Sequence, residues 1–379
     1  MRVLYWGTYD SEYVRNRVVI EGLRQNGATV RECRAALWRN TADKVANARG
    51  GRLRPRLLLR MIWAYAQLLA RSLFARDYDV MVVGYAGHLD IYPARVLAWV
   101  RRKPLVLDAY LSLHETIVED RQLVRANSLA AKLIFAVEHC ACRLPDLVLL
   151  DTQADVDYFV AKYGLDSSRL LRVFVGAERA YQPAPAPPPS ERLRVLYLGK
   201  FIPLHGLEHI LRAAALLRDA PVTIQLIGDG QTYEAMRELA ESLQLSNVVW
   251  GARWLEPEAL AGEIAQSDVC LGVFAASPKT ARVIPTKVFA ALAMGKALVT
   301  ADTPGARELL TDGKDALLCP VANPEALAAA LRRLAEDRPL VAALGANGLQ
   351  LSRQRLTTQA VTQELYQRLL DLVSRRKRG

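Results

Sequence analysis

The chain has 379 residues, long for one ordinary core, and its 51% hydrophobic and 23% charged content is that of a folded protein rather than a disordered one. Fifty Lys+Arg against 39 Asp+Glu leave a net charge of +11, which favours an anionic partner. The five scattered cysteines form no disulfide framework and no apolar stretch reaches the ~20 residues of a spanning helix, so disulfide scaffolds, collagens, coiled coils and polytopic membrane proteins are excluded.

In chain order, short apolar runs rich in β-branched residues fall at 3–7, 80–84, 105–110, 147–151 and 171–176. A proline-rich segment follows at 183–191, which neither a helix nor a central strand accommodates and which reads as a semi-rigid linker. Further runs fall at 195–199, 222–228, 248–251, 269–274, 298–302 and 316–320. Each is apolar on both faces and most end in glycine or an acid before a helical stretch, the pattern of parallel strands covered by helices on both sides. The expected architecture is α/β, two doubly wound parallel-sheet domains. Residues 1–182 form the first, 183–191 the linker and 192–353 the second. A last helical stretch at 354–379 is free to pack back across them. Ligands in such folds sit beyond the carboxyl ends of the strands.

In the second half, Pro285-Thr286-Lys287-Val288 opens a helical stretch that closes at Gly295. Proline suits a helix entry, and the N–H groups of Thr286, Lys287 and Val288 would meet a bound anion there, with the Lys287 charge added. Gly199-Lys200 and Ile227-Gly228-Asp229-Gly230 end two strands, where glycine permits close approach to phosphate. None of these loops has G-x-G-x-x-G spacing, which argues against a dinucleotide cofactor. The same features also fit an ordinary capped helix and solvated surface groups.

These stretches, with Ser267-Asp268-Val269, Asp302-Thr303-Pro304, Glu308-Leu309 and Asn323-Pro324-Glu325, resemble the donor domain of family 4 nucleotide-sugar glycosyltransferases over 194–336. Tyr5-Trp6-Gly7 and Asp151-Thr152 extend the resemblance more faintly into the first half. It implies two Rossmann-like domains facing a cleft (the GT-B type) and transfer of a sugar from a nucleoside-diphosphate donor to an acceptor hydroxyl. It also implies a retaining, metal-independent reaction without a cofactor, a donor held by the second domain, and a glycan, lipid-linked or small-molecule acceptor held by the first. Gly7, Gly199, Lys200, Gly228, Asp229, Pro285, Thr286, Lys287 and Val288 are then donor-binding. His88, in a loop after the strand at 80–84, is the first catalytic candidate, and His114 and Glu115 follow the next strand as a second group. The family's two glutamates fall on Arg282 and Ala290 here. That keeps a catalytically inactive relative open as an alternative, beside a nucleotide-sugar epimerase of the same two-domain fold.

Asp77-Tyr78-Asp79 and Asp155-Val156-Asp157 read as solvated carboxylates, not as a metal site. Residues 44–76 hold eight cations, Lys44, Arg49, Arg52, Arg54, Arg56, Arg60, Arg71 and Arg76, and no acid. Trp63 and Tyr65 lie among them, so the stretch fits either an anionic membrane surface or a core helix edged with solvated arginines. No nucleic-acid recognition motif accompanies it. The expected location is cytoplasmic, with this stretch available to hold the chain at the inner face of the membrane.

Overall fold

A computed structural model describes residues 1–37, 55–183, 188 and 190–378. Lys44, Arg49, Arg52 and Arg54 of the basic stretch, and most of the proline-rich segment, lie outside the described residues.

The chain divides into two units, one of Met1–Val175 with Thr358–Gly379, the other of Gly176–Thr357. Unit 1 contains β1 (Arg2–Gly7), β2 (Thr29–Arg34), β3 (Val80–Val83), β4 (Leu105–Tyr110), β5 (Leu147–Leu150) and β6 (Leu170–Arg172). They form one parallel sheet in the order β2-β1-β3-β4-β5-β6. Its helices are α1 (Val14–Gln25), α2 (Pro55–Phe74), α3 (Ile91–Val100), α4 (Leu129–Ala141) and α5 (Gln153–Tyr163). β3 and β5 are wholly buried, as strands apolar on both faces must be when helices cover both sides.

Unit 2 contains β7 (Leu193–Leu198), β8 (Val222–Ile227), β9 (Val248–Trp250), β10 (Val269–Leu271), β11 (Ala297–Ala301) and β12 (Leu317–Cys319). They too form a parallel sheet, ordered β12-β11-β10-β7-β8-β9. Its helices are α6 (Leu207–Ala215), α7 (Tyr233–Ser242), α8 (Pro257–Gln266), α9 (Thr286–Ala293), α10 (Pro304–Arg307), α11 (Pro324–Glu336) and α12 (Arg338–Arg355).

The last helix, α13 (Thr358–Arg378), belongs to unit 1. Leu365 and Leu369 are fully buried with Val19 and Leu23 of α1. Gly22 lets the two helices touch: a Cβ there would lie 2.1 Å from the Thr358 carbonyl oxygen.

Strand order reverses between β1 and β3 in unit 1 and between β7 and β10 in unit 2. In doubly wound sheets this switch point opens a crevice at the carboxyl ends. Gly7 ends β1, the loop carrying His88 follows β3, Gly199 follows β7, and α9 follows β10. The sequence candidates therefore gather at the topologically favoured end of each sheet.

Candidate functional site

In unit 2, the loops after β7 and β8 are stitched together by Gly199 N–H donating to the Ile227 carbonyl and Phe201 N–H to the Asp229 carbonyl. Gly228 has φ +142°, and a Cβ there would lie 1.8 Å from the Gly199 carbonyl oxygen, so only glycine fits. A Cβ on Gly199 (φ +134°) would stand 3.1 Å from the Lys287 Nζ. Gly199, Gly228 and Lys287 are thus neighbours.

Lys287 is 6% exposed, its amine makes no hydrogen bond, and it lies 3.6 Å from the centroid of the Tyr197 ring. The ring favours a cation, but burial outweighs it and pushes the amine well below the usual lysine pKa. Pro285 is the N-cap of α9 rather than its first helical residue, and no side chain caps the helix. The Thr286 and Lys287 amides occupy the first turn, where helical N–H groups lack intrahelical partners. Val288 differs from the expectation: its N–H donates to the Pro285 carbonyl at 2.9 Å and its side chain is in the core. Lys200 is exposed, and its carbonyl accepts from the His205 ring, which also bonds the Tyr197 hydroxyl at 2.6 Å. The Asp229 carboxylate caps its own turn through the Gly230 N–H. Ala290 is buried within α9.

In unit 1, His88 is 2% exposed, packed inside the unit rather than displayed on an open loop. Its Nε2 stands 3.5 Å from the Glu138 Oε1 on α4, longer than a normal hydrogen bond. Glu138 is the residue the sequence reading missed. Fully buried, its carboxylate accepts from the Leu113 and His114 amides (2.7 and 2.8 Å), the Ser112 hydroxyl (2.9 Å) and the Tyr163 hydroxyl (2.6 Å). Burial alone would raise its pKa, but the His88 ring, Tyr163 and the His114 amide prevail and hold it at about 2. His114 contributes its backbone to this hub, while its ring lies 3.3 Å from both the Glu119 carboxylate and the Lys162 amine. Glu115 is buried and its N–H donates to the Ser112 hydroxyl.

Because Glu138 ionises more readily folded than unfolded, it stabilises the fold above its ordinary pKa of about 4.5, and that contribution fades as pH falls towards 2. The shift corresponds to on the order of 3 kcal/mol. Denaturant titrations at several acidic pH values should show unit 1 losing stability across this window. Glu138→Gln should be less stable at neutral pH and should flatten the dependence; an unchanged slope would refute the assignment.

Gly7 (φ +137°) sits against Asp90: a Cβ there would lie 2.6 Å from its carboxylate. Asp90 accepts from the Thr8 amide and hydroxyl and from the Tyr65 hydroxyl of α2. The Thr8 N–H, next to Gly7, is therefore already engaged. Asp77 and Asp79 both pair with Arg2, and no group of three or more His, Cys, Asp or Glu placed to hold a metal occurs among the described residues.

Two parallel-sheet units, each with a glycine-ended first strand at its switch point, define the two-Rossmann-domain class of fold found in GT-B glycosyltransferases. Residues 192–337 match the family model described as glycosyl transferases group 1. The lipopolysaccharide core biosynthesis glycosyltransferase LpsD of Rhizobium meliloti (strain 1021) is 27% identical over 195 residues, 49% of this chain and 54% of that protein. The chain thus spans about half the length of this relative. The alpha-D-kanosaminyltransferase of Streptomyces kanamyceticus is 24% identical over 331 residues, 80% of this chain and 81% of that protein. Anabaena Alr3699/HepE, solved in complex with UDP and glucose, superposes with a TM-score of 0.68 at 17% identity over 98% of this chain and 100% of its own. Sucrose-phosphate synthase (tll1590) from Thermosynechococcus elongatus gives a TM-score of 0.72 at 15% identity over 98% and 99%. The chain matches the family model in its second half, is similar in sequence to named glycosyltransferases over up to 80% of its length, and shares their fold throughout.

Proposed function

We propose that the chain is a glycosyltransferase that moves a sugar from a nucleoside-diphosphate donor, of which uridine diphosphate is the first candidate, to an acceptor hydroxyl. The observation that carries this reading is the buried, unbonded Lys287 amine beside Gly199 at the first turn of α9. A buried amine without an acceptor is costly, and a diphosphate supplies the missing negative charge. The bond from the anomeric carbon to the diphosphate oxygen breaks as the acceptor oxygen bonds to the same face of the sugar, and the hydroxyl proton leaves with the diphosphate. Lys287, Lys200 and the α9 amides stabilise the departing charge without a metal. His88 assists departure of the sugar, and the Glu138 hub fixes the loops around it.

The test is calorimetric titration with UDP, followed by assay of UDP release from UDP-sugars with and without glycan, lipid-linked and small-molecule acceptors. Tight binding and acceptor-dependent release that persists with chelator are expected. Donor conversion needing no acceptor would instead favour an epimerase. Binding without turnover across the panel would favour an inactive relative, in line with Arg282 and Ala290.

A further inference from the structure

Helix α2 carries apolar side chains on two opposite faces with Arg60, Gln67 and Arg71 on a flank between them, and the described residues cover only one of those faces. Ala64, Leu68 and Ala75 are buried against the unit 1 sheet, and Ser72 ties the helix down by accepting from the Trp6 indole and donating to the Leu68 carbonyl. The opposite side carries Leu59, Ile62, Trp63, Leu69, Leu73 and Phe74, spaced at helical intervals along one stripe and 42–82% exposed. A contiguous exposed stripe of this kind marks an interaction surface rather than ordinary surface residues. Among the described residues no helix is long and apolar enough to cross a membrane, so the stripe is not part of a span.

The flank of the stripe identifies what covers it. A cavity of about 460 Å³ opens beside Trp63, and its lining among the described residues includes Arg34, Arg60, Arg71 and Gln67 and no carboxylate. Cationic donors surround a space for an anion, directly beside side chains that belong in hydrocarbon. A second copy of the chain would bring the same arginines, on a molecule of net charge +11, against one another. An anionic phospholipid satisfies both parts, with its phosphate among the arginines and its acyl region on the stripe.

We infer that α2 lies in the plane of an anionic lipid surface, its Leu59–Phe74 stripe in the acyl boundary and the Arg34–Arg60–Arg71 cavity holding a lipid phosphate. Amphipathic helices that dock this way bury their apolar face in the headgroup region and gain further from the charge of anionic lipids. The inference stands apart from the donor site, which lies in unit 2.

Sedimentation with vesicles of phosphatidylcholine alone, and of phosphatidylcholine with phosphatidylglycerol in equal parts, tests it. The protein should sediment with the anionic vesicles and be released as sodium chloride rises. Ile62→Ser/Phe74→Ser, at two exposed positions well separated on the stripe, should lower partition roughly tenfold or more. Arg60→Gln/Arg71→Gln should lower anionic binding and remove most of its salt dependence. UDP calorimetry and thermal melting of the same samples verify folding, and both should be unchanged in the stripe variant. Equal partition with neutral and anionic vesicles, or full binding by the folded stripe variant, would overturn the inference. So would a dimer in sedimentation velocity that the stripe variant abolishes. Vesicle binding by a chain that fails to bind UDP would support the lipid surface and count against the donor reading alone.

Discussion

Replacing His88 with alanine is expected to lower turnover by roughly 10²–10⁴-fold, the range in which a positioned proton-handling or charge-stabilising side chain contributes, while leaving UDP affinity nearly unchanged. The separation follows from position: His88 lies in unit 1 after β3, whereas Gly199, Gly228 and Lys287 all lie in unit 2. Because the ring is buried beside Glu138, a purely structural role would show differently. It would lower the melting temperature, and turnover would recover in His88→Gln, which keeps a polar group beside the carboxylate. Loss of turnover in a variant that melts normally, without recovery in His88→Gln, is the result that assigns His88 to the reaction. Wild-type turnover in His88→Ala would move the assignment away from this loop.

Lys287→Met should have two opposite effects. Nucleotide binding should weaken by roughly ten- to a hundredfold or more, since a charge-assisted contact is worth about 1.5–3 kcal/mol. The free protein should become more stable, because methionine fills the site over Tyr197 without an amine to desolvate. In the unfolded chain the lysine stays protonated up to its ordinary pKa of about 10.5, whereas burial depresses the pKa in the folded chain. Between those two values the unfolded state holds the extra proton, so the wild type gains stability as pH rises and Lys287→Met lacks that slope. A diphosphate beside the amine restores its charge. UDP binding should therefore take up a proton, give a calorimetric enthalpy that varies with the buffer, and weaken as pH rises. A variant with unchanged UDP affinity, or wild-type binding without proton uptake, would remove Lys287 from the donor site.

The paired sheets were legible because a strand buried on both faces writes itself as a continuous apolar run, as Val80–Val83 and Leu147–Leu150 do. Strand β2 was not legible. Thr29–Arg34 is an edge strand, mostly polar and largely exposed, and among the described residues it pairs only with β1. Glycines at strand ends announced Gly7, Gly199 and Gly228, since tight approach at the carboxyl edge leaves a local trace. Glu138 left only a faint one, an acid within the apolar run of α4, because its partners come from Ser112, Leu113 and His114 more than twenty residues away. The arginines around α2 were equally plain in the sequence. Which side of that helix stayed uncovered was not, because apolar side chains lie both on the face against the sheet and on the face opposite it, with Arg60, Gln67 and Arg71 on the flank between them.

The path of the chain through the two units has a consequence for synthesis. All six strands of unit 1 leave the ribosome first, yet Leu365 and Leu369, which fill its core against α1, are made only after the whole of unit 2. Domains that fold as they emerge normally finish in order from the amino terminus. Here that order fails: unit 1 waits through the synthesis of all of unit 2 with one helix-sized gap beside α1. For that interval the nascent first unit presents an apolar groove to chaperones, and a chain truncated near residue 357 keeps the whole of unit 2 but lacks the helix that completes unit 1.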